Sequence, residues 1–385
     1  MKELCLLGGS GSIGSQTLEL IKENPSDFKL IGISVGKRVN ILKEVLNEFN
    51  DVKYACVGSK EHLDELQKEF PHIKFFYGDE GLLELIRAYH YDMVVNALVG
   101  FVGFLPSVET IKNKIDLALA NKESLVVGGD IINKLIDEYH VHLYPIDSEH
   151  VALAKCLKDM PKEEVKRLVI TASGGSFRDK KHDELKNVTV KDALKHPSWS
   201  MGQKITIDSA TMMNKGFEVI EAYHLFHLPI EKISVLLHDE SIIHSLVEFC
   251  DNSYLADFGP ADMKVPIAYA LYEMDRKEIK TKSLNLEDFS SIHFRKLDLN
   301  RYPCLSYALE AIQVGGTMPC VVNAANEEAV YAFLDEKISF LEIEELIRLM
   351  MDKHQVINNP SIDDLISVNN ITRKLVNEEI ERRKK

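Results

Sequence analysis

The densest collection of reactive side chains in the chain lies in HPSWSMGQKITIDSATMMNKGFEVIEA, from His196 to Ala222. It holds an imidazole, an indole, hydroxyls, an amide, an ammonium and carboxylates. KITI (Lys204 to Ile207) is expected to form a short strand, with a helix beginning near Asp208 or Ser209, either of which can accept a bond from first-turn amides. On that helix Asn214, Lys215 and Glu218 are three and four residues apart and share one face. Met213, Phe217 and Ile220 repeat at the same spacing on another face and are expected in the core. A polar face alone is also what a solvated helix presents. The lead-in separates the two readings. Trp199, the only tryptophan, sits between His196 and Met201 in a Pro- and Gly-bounded segment, a composition that suits a flap closing over a site.

A second cluster is IDSEH. Asp147 and Glu149 flank Ser148 at the expected end of a strand. In an extended segment residues two apart point the same way, so both carboxylates can converge. Two hard anionic oxygens, with Glu218 as a third, suit Mg2+ or Mn2+. An acidic cap on a helix start is the competing reading. His150 is expected to point away and to be structural. Lys122, in LANKES, lies where a strand's carboxyl end would bring it to substrate or cofactor, or else to the surface. Ser173, ahead of Gly174 and Gly175, offers a hydroxyl beside exposed amides, as a phosphate cradle or an ordinary turn does.

These groups need elements to hold them. LCLLGGSGSIGSQTLELI reads as strand, glycine turn and amphipathic helix, with Gly9, Gly11 and Gly14 in the G-x-G-x-x-G pattern of dinucleotide sites. After the second strand an NAD enzyme usually has a carboxylate for the ribose; here Gly36, Lys37 and Arg38 stand instead. A cationic pair suits a 2'-phosphate, so NADPH is expected. Strand–helix alternation continues to about residue 146. The stretch from Lys232 to Leu271 reads as two strands with an intervening helix and a loop at Phe258–Pro260. Residues 275–301 read as a surface linker, and everything beyond Leu305 is helix-periodic.

The chain has 385 residues, 45% hydrophobic and 28% charged, with a net charge of -14. That charge argues against nucleic acid or an anionic membrane as the main partner. Six cysteines without a C-x-x-C pair are expected as buried, reduced thiols in a cytoplasmic protein. No apolar run is long enough to span a bilayer and no targeting segment is visible.

Taken together, GGSGSIG, LANKESLV, PIDSEH, TASGGSFRD, the His196–Ala222 stretch, SIIHSLVEF, FGPADM and NAANEEAV resemble the 1-deoxy-D-xylulose 5-phosphate reductoisomerase family over essentially the whole chain. The resemblance implies NADPH- and metal-dependent rearrangement and reduction of that sugar phosphate to 2-C-methyl-D-erythritol 4-phosphate. It implies NADPH contacts at Ser10, Gly11, Ser12, Ile13, Gly36, Lys37, Arg38, Asn121, Glu123 and Gly202. It implies one Mg2+ or Mn2+ on Asp147, Glu149 and Glu218, with Lys122 near the metal. Ser148, Ser173, His196, Ser209, Asn214 and Lys215 would meet substrate hydroxyls and phosphate, under a flap carrying Trp199. A homodimer is implied as well. Departures from the family pattern are Gly9-Ser10 for Ser-Thr, Arg38 for Asn, Ser176 for Pro and Asp239-Glu240 for Pro-Gln; none is an implied metal ligand.

The expected architecture is α/β: a Rossmann-type NADPH domain (1–146), a catalytic metal and substrate domain with flap and dimer contacts (147–274), a linker (275–303) and a C-terminal helical domain (304–385). Two rivals use the same residues differently. A metal-assisted NADP-dependent dehydrogenase without rearrangement would differ only in product. A non-catalytic NADPH sensor would leave the acidic trio and the flap without purpose.

Overall fold

The computed structural model describes residues 1–196, 199 and 201–384. The chain divides into two compact units: Met1–Ser124 with Ile132–Asp147 and Asp262–Thr281, and Leu125–Ile131 with Ser148–Ala261 and the remainder from Lys282.

Unit 1 begins as the sequence predicts. Apolar runs form β1 (Lys2–Leu7), β2 (Phe28–Ser34), β3 (Tyr54–Val57), β4 (Lys74–Tyr77), β5 (Met93–Asn96), β6 (Asp116–Leu119) and β7 (Leu143–Pro145). Between them lie α1 (Ser12–Glu23), α2 (Val39–Glu48), α3 (Leu63–Glu69), α4 (Gly78–Arg87), α5 (Phe104–Lys112) and α6 (Lys122–Tyr139). The order is β4-β3-β2-β1-β5-β6-β7, and each pairing is parallel. The chain winds outward from β1 to β4 and returns at β5, so the order reverses between β1 and β5. The crevice beyond the strand ends at such a reversal is where doubly wound sheets bind ligands. Helices cover both faces, which is why Leu4 to Leu7 are buried without alternation.

The glycine turn after β1 is set by sterics. Gly8 has φ +83°, a conformation that favours a residue without Cβ. A Cβ on Gly14 would lie 2.3 Å from the Gly8 carbonyl oxygen, so only glycine lets α1 start this close to the strand end.

Unit 2 holds α7 (Ser148–Leu157), β8 (Val165–Ala172), α8 (Val190–Ala193), α9 (Gln203–Thr211), α10 (Met213–Phe226), β9 (Ile233–His238), β10 (Ile243–Phe249) and β11 (Tyr254–Phe258). The sheet runs β11-β10-β8-β9-β12, where β12 is Phe294–Lys296. β8 and β9 are parallel and the other pairs antiparallel. Leu153, Val219 and Ala222 of α7 and α10 pack on Leu168, Ile170 and Val247 of the sheet. Four C-terminal helices follow, α12 (Pro303–Val314), α13 (Met318–Leu334), α14 (Phe340–Lys353) and α15 (Ile362–Arg383). (α11, Lys264–Leu271, belongs to unit 1.) α12 approaches α10 at Gly216, where a Cβ would meet the Ala308 methyl at 2.5 Å.

Several expectations are corrected. KITI is not a strand: it lies within α9, and α10 begins only after Met212 breaks the run at φ +63°. Three β-branched residues favour a strand locally, but Lys204 and Asp208, four apart, pair at 2.8 Å on the helix. The stretch after Lys232 contains three strands and no helix between them. Residues 275–303 do more than cross the surface, since β12 pairs with β9. Residues 262–274, assigned with the catalytic domain, pack in unit 1: Ile267, Ala268, Ala270 and Leu271 join the core of Leu18 and Ile21, and Lys264 pairs with Glu19 at 2.7 Å. Met263 packs on the same core. None of the six cysteines is in a disulfide, but Cys250 is exposed rather than buried.

Gly14→Ala is expected to lower the unfolding free energy by about 1–3 kcal/mol through overpacking. The measurement is a denaturant midpoint at unchanged slope; an unmoved midpoint would show that the turn yields.

Candidate functional site

The nucleotide end lies in unit 1. Gly8 donates its N–H to the Ser34 hydroxyl at 2.9 Å, and Gly9 donates to the Ser34 carbonyl at 2.8 Å. These bonds tie the turn to β2. Gly11 is the N-cap of α1 and no side chain caps the helix, so the first amides of Ser12 and Ile13 remain for an anion. Sequence reasoning placed the pattern on Gly9, Gly11 and Gly14 and missed Gly8, the one with positive φ; the Gly8-Gly9 doublet was its signal. Gly36, Lys37 and Arg38 are exposed just past β2, the strand next to β1, and a Cβ on Gly36 would meet nothing within 4 Å.

Asn121 is the N-cap of α6 and is buried. Its Oδ1 accepts from the Ser124 amide at 3.0 Å, and its Nδ2 donates to the carbonyls of Leu98 at 3.0 Å and Gly100 at 2.9 Å. That side chain pins the β5 and β6 loops together, so a cofactor contact from this residue falls to its backbone. Glu123 lies beside it, 3.2 Å from Nδ2. Gly202, the N-cap of α9 in unit 2, is exposed.

Lys122 is no surface lysine. It is buried, and its ammonium meets Asp147 Oδ2 at 2.7 Å. The extended arrangement expected for Asp147–Glu149 is corrected: α7 starts at Ser148, so Glu149 stands in a first helical turn. Ser148 Oγ donates to Glu149 Oε2 at 2.6 Å, and Lys215 Nζ donates to Glu149 Oε1 at 2.9 Å. The same ammonium pairs with Glu218 Oε2, and Asn214 Nδ2 donates to Glu218 Oε1 at 2.5 Å. Asn214, Lys215 and Glu218 thus share a face as their spacing requires, and Met213, Phe217 and Ile220 are fully buried on the other side. Two carboxylates this close, Glu218 buried and Glu149 partly so, demand a cation, and Lys215 supplies one. Oxygens of Glu149 and Glu218 lie within 4.8 Å of each other, a hard-oxygen pair of the kind Mg2+ and Mn2+ take. His150 is fully buried, its Nε2 2.9 Å from the Glu218 carbonyl and its ring stacked 6.3 Å from Phe226.

A third cluster gathers Ser173, His196 and Ser209. Gly174 and Gly175 have φ of +84° and +70°. A Cβ on Gly175 would lie 2.4 Å from the Ser209 carbonyl, so this glycine brings the Ser173 loop onto α9. His196 Nε2 lies 3.1 Å from Ser173 Oγ and 3.2 Å from Ser209 Oγ, while its Nδ1 accepts the Trp199 amide at 3.0 Å. An accepting Nδ1 assigns the proton to Nε2, so both hydroxyls face a donor. Burial, helped by the Arg178 guanidinium, pushes the imidazole down to about 4. The Trp199 ring lies 6.2 Å from His244. Of the expected flap, Pro197, Ser198 and Ser200 lie outside the described residues.

An all-parallel sheet with an uncapped glycine turn at its reversal, joined in one chain to a buried carboxylate–lysine cluster, defines a dinucleotide-dependent oxidoreductase of the α/β class. Three models of 1-deoxy-D-xylulose 5-phosphate reductoisomerase match: its general domain at residues 4–129 and two C-terminal domains at 143–226 and 258–375. 1-deoxy-D-xylulose 5-phosphate reductoisomerase 2 of Bacillus thuringiensis subsp. konkukian (strain 97-27) is 49% identical over 381 residues, 99% of this chain and 100% of its own. The enzyme of Macrococcus caseolyticus (strain JCSC5402) is 48% identical over 96% of this chain and 97% of its own. A solved DOX-P reductoisomerase in complex with NADPH, fosmidomycin and magnesium superposes with a TM-score of 0.94 at 35% identity, covering both chains fully. The enzyme from Zymomonas mobilis in complex with NADPH gives 0.90 at 36% identity over 99% of each chain. The chain belongs to the 1-deoxy-D-xylulose 5-phosphate reductoisomerase family.

The depressed His196 has a pH signature. Its ordinary value is 6.5 and its folded value about 4, so between those pH values the unfolded chain binds a proton that the folded chain refuses. The folded state therefore loses stability as pH falls through this window and carries no such loss above it. Wild-type thermal stability should fall more between pH 7 and 5 than that of His196→Gln, and an NMR titration of His196 should have its midpoint below 5; a midpoint near 6.5 would refute the assignment.

Proposed function

We propose that this chain carries out its family's reaction, the rearrangement of 1-deoxy-D-xylulose 5-phosphate and its reduction by NADPH to 2-C-methyl-D-erythritol 4-phosphate. The observation that carries the proposal is the Lys215 ammonium between the carboxylates of Glu149 and Glu218. It is a place already built for positive charge, in the same unit as the Ser173 and Ser209 hydroxyls suited to a phosphate.

Glu149 and Glu218, with Asp147 two residues before Glu149 in the chain, would hold one Mg2+ or Mn2+. When bound, that ion supplies Lewis-acid stabilisation of negative charge on substrate oxygens. The residues of the chain do the rest. Ser173, Ser209, Asn214 and Lys215 grip the phosphate, and His196 keeps its Nε2 proton for donation because burial holds it neutral. Ser148 and Lys122 orient the sugar hydroxyls. Trp199 covers the substrate, so that binding energy from the phosphate is spent on excluding water. Ser10, Gly11, Ser12 and Ile13 offer backbone amides to the NADPH pyrophosphate, and Lys37 and Arg38 favour a 2'-phosphate. Gly36, Asn121, Glu123 and Gly202 complete that site. In this division of labour residues 1–146 hold the cofactor and the catalytic stretch from 147 holds metal and substrate, while 304–385 form a helical scaffold.

The reading also makes the protein a cytoplasmic homodimer. Among the described residues no helix is long and apolar enough to cross a membrane. β11 is an edge strand with Tyr254, Leu255 and Phe258 exposed, and such an edge is satisfied by a second strand. Sedimentation should give twice the 43.7 kDa chain mass, and Leu255→Arg should shift the protein toward monomer; a wild-type monomer would end the dimer reading.

The activity test follows NADPH absorbance with 1-deoxy-D-xylulose 5-phosphate and identifies the product. Oxidation should require Mg2+ or Mn2+, stop with chelator, and fall in Glu218→Gln by more than about 100-fold, beyond what loss of an outer-shell partner costs. NADPH that binds but is never oxidised would favour the sensor, and a simple unrearranged reduction product would favour the other dehydrogenase.

A further inference from the structure

NAANEEAV is a family-like motif that the site above leaves unused. It forms the middle of α13, where Asn323 and Asn326 are fully buried. Asn326 Nδ2 donates to Asp208 Oδ1 at 2.8 Å, the only orientation of the amide that presents a donor to a carboxylate. The other Asp208 oxygen takes Lys204 Nζ at 2.8 Å, and both residues of that pair are buried. Lys204 Nζ in turn stands 5.6 Å over the Phe217 ring of α10. Asn323 is one turn earlier on α13, and among the described residues neither atom of its amide finds a hydrogen-bond partner.

The helix held by this network is the one whose position matters. α9 has only nine residues and is set off from α10 by the positive φ of Met212. Its start, Gly202, follows the Trp199 segment, and Ser209, the residue after Asp208, faces the His196 imidazole. A charged hydrogen bond in a buried setting is strong and directional. Asp208 sits on the α9 face turned to the bundle, so its bond to Asn326 sets where the Ser209 hydroxyl stands.

We propose that Asn326 is a positioning residue for the phosphate grip: by holding Asp208 it fixes α9, and with it Ser209 and the entry to the flap, against the C-terminal bundle. The inference rests on the reading of Ser209 as a phosphate ligand.

The test compares the full chain with Asn326→Ala, Asn326→Ser and Asn323→Ala. Steady-state kinetics are read beside Trp199 emission titrated with inorganic phosphate, the single tryptophan making that signal specific. Asn326→Ala should raise the KM for 1-deoxy-D-xylulose 5-phosphate and the phosphate midpoint by about tenfold, the size of a lost outer-shell contact. The KM for NADPH should not move. Asn326→Ser, which retains a donor, should recover part of the loss, and Asn323→Ala, equally buried but not bonded to Asp208, should match wild type. A role in stability alone would lower the active fraction, and so the apparent kcat, without moving either substrate parameter; that result, or equal KM shifts in the two alanine variants, would overturn the proposal. If Asn326→Ala does not fold, Asn326→Ser carries the test with a smaller rise, and an unmoved KM and midpoint refute it. Wild-type protein that never oxidises NADPH would instead count against the reductoisomerase reading, while the phosphate titration still judges Asn326.

Discussion

Two carboxylates close together in a buried place repel each other, and the second unit is organised around relieving that repulsion. Glu218 is 1% exposed, and Glu149 reaches the same spot from α7. The Lys215 ammonium stands between them. At a separation near 4 Å the Coulomb term between unit charges is about 4 kcal/mol at an effective dielectric of 20, large beside the stability of a whole domain. The cation comes from the same element as one of its partners. Lys215 and Glu218 are three residues apart on α10, which makes their proximity a property of the helix rather than of loop placement. Gly216, between them in sequence, lets α12 approach α10 closely, since a Cβ there would meet Ala308 at 2.5 Å.

That constraint explains why the polar face of α10 was legible in the sequence and α9 was not. Asn214, Lys215 and Glu218 repeat at helical spacing, and the apolar residues among them repeat on the opposite side, so pattern and structure agree. KITI has the local preferences of a strand, and the i,i+4 pair of Lys204 and Asp208 with the tertiary contact of Asp208 to Asn326 holds it as a helix. Asp147 and Glu149 were identified as a pair for a reason that fails, since α7 begins between them. Three sheet strands after Lys232 were misread because Asp239–Ser241 and Cys250–Ser253 are short polar turns that resemble helix ends as much as hairpins.

The nucleotide end was more readable because it depends on residues whose effect is steric and local. Gly8 at positive φ and Gly14 under the Gly8 carbonyl are demands of backbone geometry, visible as glycines at fixed spacing wherever they occur. The buried apolar strands beside them need only be apolar. Asn121 adds a different kind of demand: its amide joins the loops after β5 and β6. A polar residue at a functional edge can thus serve the edge itself.

The two ends fail differently as a result. At the glycine turn the chain contributes emptiness, so any added methyl is a clash and the outcome depends on whether the backbone can yield. In the acidic cluster the chain contributes charge, and an isosteric neutral residue leaves every atom in place while the remaining like charges face each other in low dielectric. Shape alone therefore cannot explain the second site. Lys215 is needed there for its charge before it is needed for any ligand, and this is why the ammonium is buried on a helix rather than carried on a surface loop.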